Sequence, residues 1–248
     1  MKTLKFNLST LTILVVSLFL AGTMSSCGTK SQKEAEGQTE ESDHHDKDST
    51  DRDEHHEEGH HQDGGTDEST SETMMWMPGD RLFTGILKLA LGNVAKLAPS
   101  ITSESDGSKV LNLTLTGDKV ILLFDGTFEN VGANLQFKAD GFQGEIALIH
   151  HFTNASNFDY VSLNNSSMQL GRIENGKNNV MDKKDKKMPT DWATLTASSA
   201  GEHYKGLLNE ELVNHGHGDT RPAGQVGLVL HGQGKVMLKM MEVMKLSE

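Results

Sequence analysis

From Lys109 onward, apolar residues fall in short runs, several of them alternating with polar residues, and Gly, Asn, Asp or Ser closes each run. Period-two alternation between turn residues predicts β-strands. Val110-Leu111-Asn112-Leu113-Thr114-Leu115 is the first and Lys119–Phe124 the second. Asp125-Gly126 and Asp140-Gly141 are turn signals. Strands follow at Asn134–Lys138, Glu145–Phe152, Tyr160–Leu163, Gln169–Ile173 before Asn175-Gly176, and Ala193–Ala197. His203–Leu208 turns at Asn209-Glu210 into Glu211–Val213, and two closing strands, Gln225–Leu230 and Lys235–Leu246, flank His231-Gly232-Gln233-Gly234. Strands at roughly ten-residue spacing predict a mainly β fold, an antiparallel sandwich or barrel. No strand alternates with a long helix, which excludes a doubly wound sheet.

The pattern is different upstream. Leu82, Phe83, Ile86, Leu87, Ala90, Leu91 and Val94 stand at helical spacing, so Arg81–Leu97 is predicted as a short N-terminal helix that Gly85 and Gly92 weaken and Pro99 ends. Residues 74–104 form an apolar lead-in to the sandwich at 105–248. Residues 28–73 have no apolar period and almost no Leu, Ile, Val or aromatic residue. Such a stretch does not offset its ordering entropy, and it reads as an extended, disordered tether.

Charge reinforces the division. The 248-residue chain carries −12, and the tether alone carries 16 acids against Lys30, Lys33, Lys47 and Arg52. Residues 74–248 are close to neutral, with 17 bases and 19 acids. A basic nucleic-acid footprint is absent, so nucleic acid is not an expected partner. Three histidine pairs, His44-His45, His55-His56 and His60-His61, interleave with the tether carboxylates. Imidazole with carboxylate suits Zn²⁺, Ni²⁺ or Cu²⁺. Three readings follow: a solvated spacer with incidental metal affinity, a metal-capturing segment, or a pH-responsive tether.

At the start of the chain, Lys2 and Lys5 precede a short apolar run, Leu8–Leu20, and small residues then lead to Cys27, the only cysteine. The run is shorter than the roughly 20 residues that span a bilayer as a helix, and the order matches a secretory signal. Leu20-Ala21-Gly22-Thr23-Met24-Ser25-Ser26-Cys27 resembles a bacterial lipoprotein signal, which implies acylation of Cys27 and a bilayer as partner. Each buried acyl CH₂ contributes roughly 0.8 kcal/mol, enough for two or three chains to hold a protein on a membrane. Gly28, where Asp would favour retention, implies the outer membrane of a Gram-negative bacterium, with either face open.

A second resemblance rests on segment order. Phe128-Glu129-Asn130-Val131 before Asn134–Lys138, Gly144–His151 with Asn154, Asn157, Phe158 and Tyr160, and Pro189-Thr190-Asp191-Trp192-Ala193-Thr194-Leu195 follow one another. Tyr204-Lys205-Gly206-Leu207-Leu208-Asn209 and Gly224-Gln225-Val226-Gly227-Leu228 complete the series. Together they resemble concanavalin A-like lectin and glucanase domains, a group that includes laminin G-like modules and 3-keto-disaccharide hydrolases. The resemblance covers roughly residues 105–248 and implies a jelly-roll sandwich. The glycosidases of the fold carry Glu-x-Asp-x-x-Glu on one strand, and this chain lacks that run.

Three functions remain open. The first is a non-catalytic glycan- or polymer-binding module, with Asn154, Asn157, Phe158, Tyr160, Arg172 and Asn175 as ligand-binding candidates. The second is a sugar-modifying hydrolase of the 3-keto-disaccharide type, using Arg172, Glu145 and His150 on the concave sheet. The third is a metal-handling lipoprotein acting through its tether. Trp192 and the phenylalanines are expected to fill the core. Strand alternation sends His150 and His151 to opposite faces. His215 and His217 share a side if extended, which suits a metal site with His150 or His151, although Gly216, Gly218 and Pro222 also mark a loop.

Overall fold

A computed structural model describes residues 72–79, 83 and 85–247. Cys27 and the six tether histidines lie outside the described residues. The elements are β1 (Thr73–Trp76), β2 (Leu87–Leu91), α1 (Val94–Leu97), β3 (Ser100–Ser103), β4 (Lys109–Thr116), β5 (Val120–Phe124), β6 (Val131–Lys138) and β7 (Gln143–Asn154). They continue as β8 (Asn157–Asn164), β9 (Ser167–Glu174), β10 (Lys177–Asp185), β11 (Ala193–Ala200), β12 (His203–Leu208), β13 (Glu211–His217) and β14 (Gln225–Lys245).

The described pairings are all antiparallel. One layer runs β2-β5-β14-β7-β8-β9-β10 and the other β3-β4-β14-β6-β11-β12-β13, with β1 also on β14. The strand shared by both is β14. Its first part pairs with β5 and β7, and its last part with β1, β4 and β6. Alternate residues of the two layers, among them Leu122, Leu148, Val161, Leu135, Phe137 and Leu238, meet in one core. Full burial of each such side chain contributes roughly 1.5–3 kcal/mol. This is a mainly β antiparallel sandwich, as the alternation predicts, with the jelly-roll character that the resemblance implies.

Four details differ from the sequence reading. The N-terminal helix is a single turn, α1, capped by the Asn93 side chain on the Ala95 N–H. Leu87–Leu91 is instead strand β2 on β5. Gly85 (φ 101°) and Gly92 (φ 117°) break the helical path, and Ile86, Leu91 and Val94, which a helix would bury, are exposed. The closing segment is one strand rather than two, because the pairs His231↔Glu145, Gly232↔Gly144 and Gln233↔Gln143 carry the ladder through the glycines. Lys177–Asp185, a stretch with no predicted strand, is strand β10. It lies at the sheet margin on β9, where lysines are common because one side faces water. Trp192 is only half-buried, with the Lys239 ammonium 5.2 Å from its ring centroid, whereas Trp76 is the tryptophan in the core.

Candidate functional site

The layer containing β7, β8 and β9 presents different chemistry on its two faces. Toward the core, at the end of the sandwich near the β7–β8 turn, it carries His150, Asp159 and Arg172, which are opposite one another in register. The Arg172 guanidinium holds Asp159 in a fork, Nε to Oδ1 at 2.6 Å and Nη2 to Oδ2 at 3.1 Å. Arg172 Nη2 also donates to the Tyr204 hydroxyl (3.0 Å) and the Asp219 carbonyl (3.1 Å), and Tyr204 donates to the same carbonyl (2.7 Å).

His151 joins this group, against the alternation rule. The register of β7 on β8 shifts between His150 and Asn154, and His151 takes φ 51°. A bulge of this kind turns two successive side chains to one side. The Nδ1 atoms of His150 and His151 lie 3.0 Å apart, and His151 Nδ1 is 3.2 Å from Asp159 Oδ2. His151 Nε2 donates to the Glu129 carbonyl at 2.8 Å.

Burial alone would raise the Asp159 carboxyl, but hydrogen bonds from His151 and Arg172 outweigh it and hold it at about 2. Burial pushes His150 down to about 3, with the neighbouring His151 adding to the effect. The network is nearly closed to solvent. A small pocket of about 140 Å³, lined by His151, Thr153, Asn157, Phe158, Asp159, Arg221 and Pro222, opens onto it.

On the opposite face, Ile121, Leu123, Ala147, Ile149, Phe158, Tyr160 and Val229 form a second apolar cluster. Ile149 and Ile121 point away from the core, yet they are 0% and 2% exposed, so this face is recessed. A groove of about 210 Å³ opens over it. Ala147, Phe158, Ile173 and Val229 line its apolar part, and Lys119, Glu145, Gln169, Asn178 and Tyr160 supply its polar atoms. Tyr160 donates to Asn178 Oδ1 at 2.8 Å. Burial raises the phenol above its ordinary value and Glu145 adds to this, while Asn178 opposes it. The hydroxyl is therefore a neutral donor near pH 7.

The predicted site residues separate accordingly. Phe158 and Tyr160 line the groove; Arg172 is on the other face of the same sheet, committed to Asp159. Asn154, Asn157 and Asn175 build turns. Asn154 Oδ1 accepts from Ser156 N and Asn157 Nδ2, and Asn157 Oδ1 accepts from Asn175 N at 3.0 Å. These bonds tie the β7–β8 turn to the β9–β10 turn beside the groove. Glu145, His150 and Arg172 do not converge, since Glu145 faces the groove and the other two face the core. His215 and His217 do share a face, but His203 of β12 joins them and not His150 or His151. Gln169, Lys119 and the strand position of Asn178 are groove features that turn chemistry alone did not reveal; the alternation of β9 carries the signal for Gln169.

The Tyr160 ring lies over Gly171, where a Cβ would come within 2.6 Å of the Tyr160 hydroxyl oxygen and 2.8 Å of the Asn179 carbonyl. Gly171→Ala is therefore expected to cost about 1–3 kcal/mol and to move Tyr160 off Asn178. Urea unfolding combined with the near-ultraviolet tyrosine signal measures both. An unchanged midpoint and spectrum would show that Tyr160 is not clamped there.

No family model matches the chain, and no curated protein matches it in sequence. Solved structures do resemble it. A Bacillus licheniformis β-glucanase is 12% identical, covers 71% of this chain and 98% of its own, and gives a TM-score of 0.51. A prokaryotic β-1,3-1,4-glucanase (lichenase) derived from a mouse hindgut metagenome is 12% identical, with 70% and 98% covered and a TM-score of 0.51. A carbohydrate-binding module, CBM66, from Bacillus subtilis is 15% identical, with 62% and 94% covered and a TM-score of 0.48. At these identities the likeness concerns architecture: the chain has the concanavalin A-like sandwich fold.

Proposed function

We propose that this protein is a membrane-anchored lipoprotein whose sandwich domain binds a neutral or weakly charged glycan in the groove over β7, β8 and β9. The observation that supports this reading is the composition of the groove. An apolar floor of Ala147, Phe158, Ile173 and Val229 lies beside a phenol, two primary amides, one carboxylate and one ammonium. Sugars present apolar C–H patches and divergent hydroxyls, which such a mixed surface satisfies together. The near-neutral balance of residues 74–248 favours an uncharged ligand over nucleic acid.

Binding without turnover is the favoured form. Glu145 is the only carboxylate among the described residues lining the groove, and glycoside hydrolysis by the usual route uses two, one on each side of the bond. The β-glucanases of like fold support the architecture; the groove itself supports the ligand class. Acylation of Cys27 would hold the protein at the outer membrane, and residues 28–73 would space the domain from it.

A panel of neutral oligo- and polysaccharides tested against the full chain provides the experiment. Binding is expected to at least one, with Tyr160→Ala and Asn178→Ala each weakening it about tenfold, the scale of a lost polar or stacking contact. Silence across the panel, or unchanged affinity in Tyr160→Ala, would overturn the assignment.

A further inference from the structure

The outer face of the β12–β13 ribbon carries three of the six histidines of residues 74–248. His203 and His217 are direct cross-strand partners, and His215 precedes His217 by two residues, which puts it on the same face. Ring centroids are 4.6 Å apart for His203 and His217, 4.8 Å for His215 and His217, and 6.0 Å for His203 and His215. One nitrogen of each ring lies within 4.8 Å of the others, and all three residues are exposed.

The backbone beneath them is fixed from the core side. Tyr204 and Asn214, which alternate with the histidines, are fully buried. Asp182 of β10 accepts from the His215 backbone N–H and from Asn214 Nδ2, both at 3.2 Å. The Gly218 N–H donates to the Glu202 carbonyl at 3.1 Å and closes the ribbon where His203 and His217 meet. The ribbon backbone is thus tied to the core while the three imidazoles stand in solvent.

We infer that His203, His215 and His217 form a surface site for one divalent transition-metal ion. Three imidazoles without a thiolate suit Zn²⁺, Cu²⁺ or Ni²⁺. Zn²⁺–N bonds of about 2.0–2.1 Å need the nitrogens somewhat closer together than they stand, a change that rotation of exposed side chains supplies. Water occupies the fourth position. Lys205, opposite His215 in the register, is the nearest cation along the ribbon and tempers the affinity. The site is on the other layer from the groove and does not depend on what the groove binds.

The test uses the full chain with His44, His45, His55, His56, His60 and His61 replaced by Asn, so that the domain is read without the tether. Calorimetric titration with Zn²⁺ is expected to give one ion per chain, and His215→Ala or His217→Ala in that background is expected to weaken it roughly tenfold or more. Broadening of three histidine ring signals by Ni²⁺, with the rest of the spectrum unchanged, identifies the ligands. No uptake at micromolar Zn²⁺, or equal uptake after His215→Ala with the fold intact by circular dichroism, would overturn the site.

Discussion

Asp159→Asn is expected to destabilise the domain by about 3–5 kcal/mol, the largest effect of any conservative substitution considered. The change removes the negative charge that neutralises Arg172, and it leaves one acceptor oxygen where Arg172 and His151 between them use two. Asp159 is 1% exposed and Arg172 8%, so water cannot replace the lost interaction. Breaking a buried pair by deleting one partner leaves an uncompensated charge, and that residual charge accounts for most of the cost. The pair itself need not be net stabilising. The double variant Asp159→Leu/Arg172→Met is therefore expected to be more stable than either single change. Guanidinium unfolding of the four proteins gives the coupling; a cost below about 1 kcal/mol for Asp159→Asn would show that this end of the sandwich is held by something else.

Acid is expected to weaken the fold in two successive steps, with His150 responsible for the first. Its folded value is about 3, against a reference of about 6.5. The native state thus binds fewer protons than the unfolded state throughout that interval. Stability is full above roughly pH 6.5 and falls as pH drops toward the folded value, by about 3 kcal/mol between pH 7 and 4. Asp159 acts lower. Its folded value of about 2 lies below the usual Asp range near 3.9, so its contribution is present above that range and is lost as pH falls through 2. His150→Phe, close in shape and stacked alike on Tyr204, should flatten the upper step and leave the lower one. Urea midpoints at pH 7, 6, 5 and 4 decide; equal slopes in the two proteins would remove His150 as the cause.

The layered fold was legible because alternation is written directly into β4, β6 and β11, while short apolar runs closed by turn residues mark β5, β7 and β8. Asn175-Gly176 marked its turn correctly, with φ 50° and 77° at the two positions, the geometry that Asn-Gly favours. Other features gave no local signal. Leu87–Leu91 fits a helical period by residue type, and only pairing with β5 makes it a strand. Lys177–Asp185 has the charge of a loop, and it becomes a strand through its pairing with β9 and the bonds of Asp182 to β13. The His150-His151 cluster depends on one bulged residue, and a bulge reverses every facing argument beyond it. Phe158 and Tyr160 were identified as candidates by residue type. Their separation from Arg172 follows from parity: Asp159 and Arg172 pair across the strands, so they share the face that Phe158 and Tyr160 leave.

Strand β14 has a consequence for how the protein comes into being. It occupies the middle of both layers and follows every other described strand in chain order. Neither layer can be completed until Gln225–Lys245 has been synthesised, so the strands before it have no finished partner up to that point. A chain that stays open until β14 is available remains threadable through a translocation channel. That order of events suits the export proposed for it, with folding deferred to the far side of the membrane.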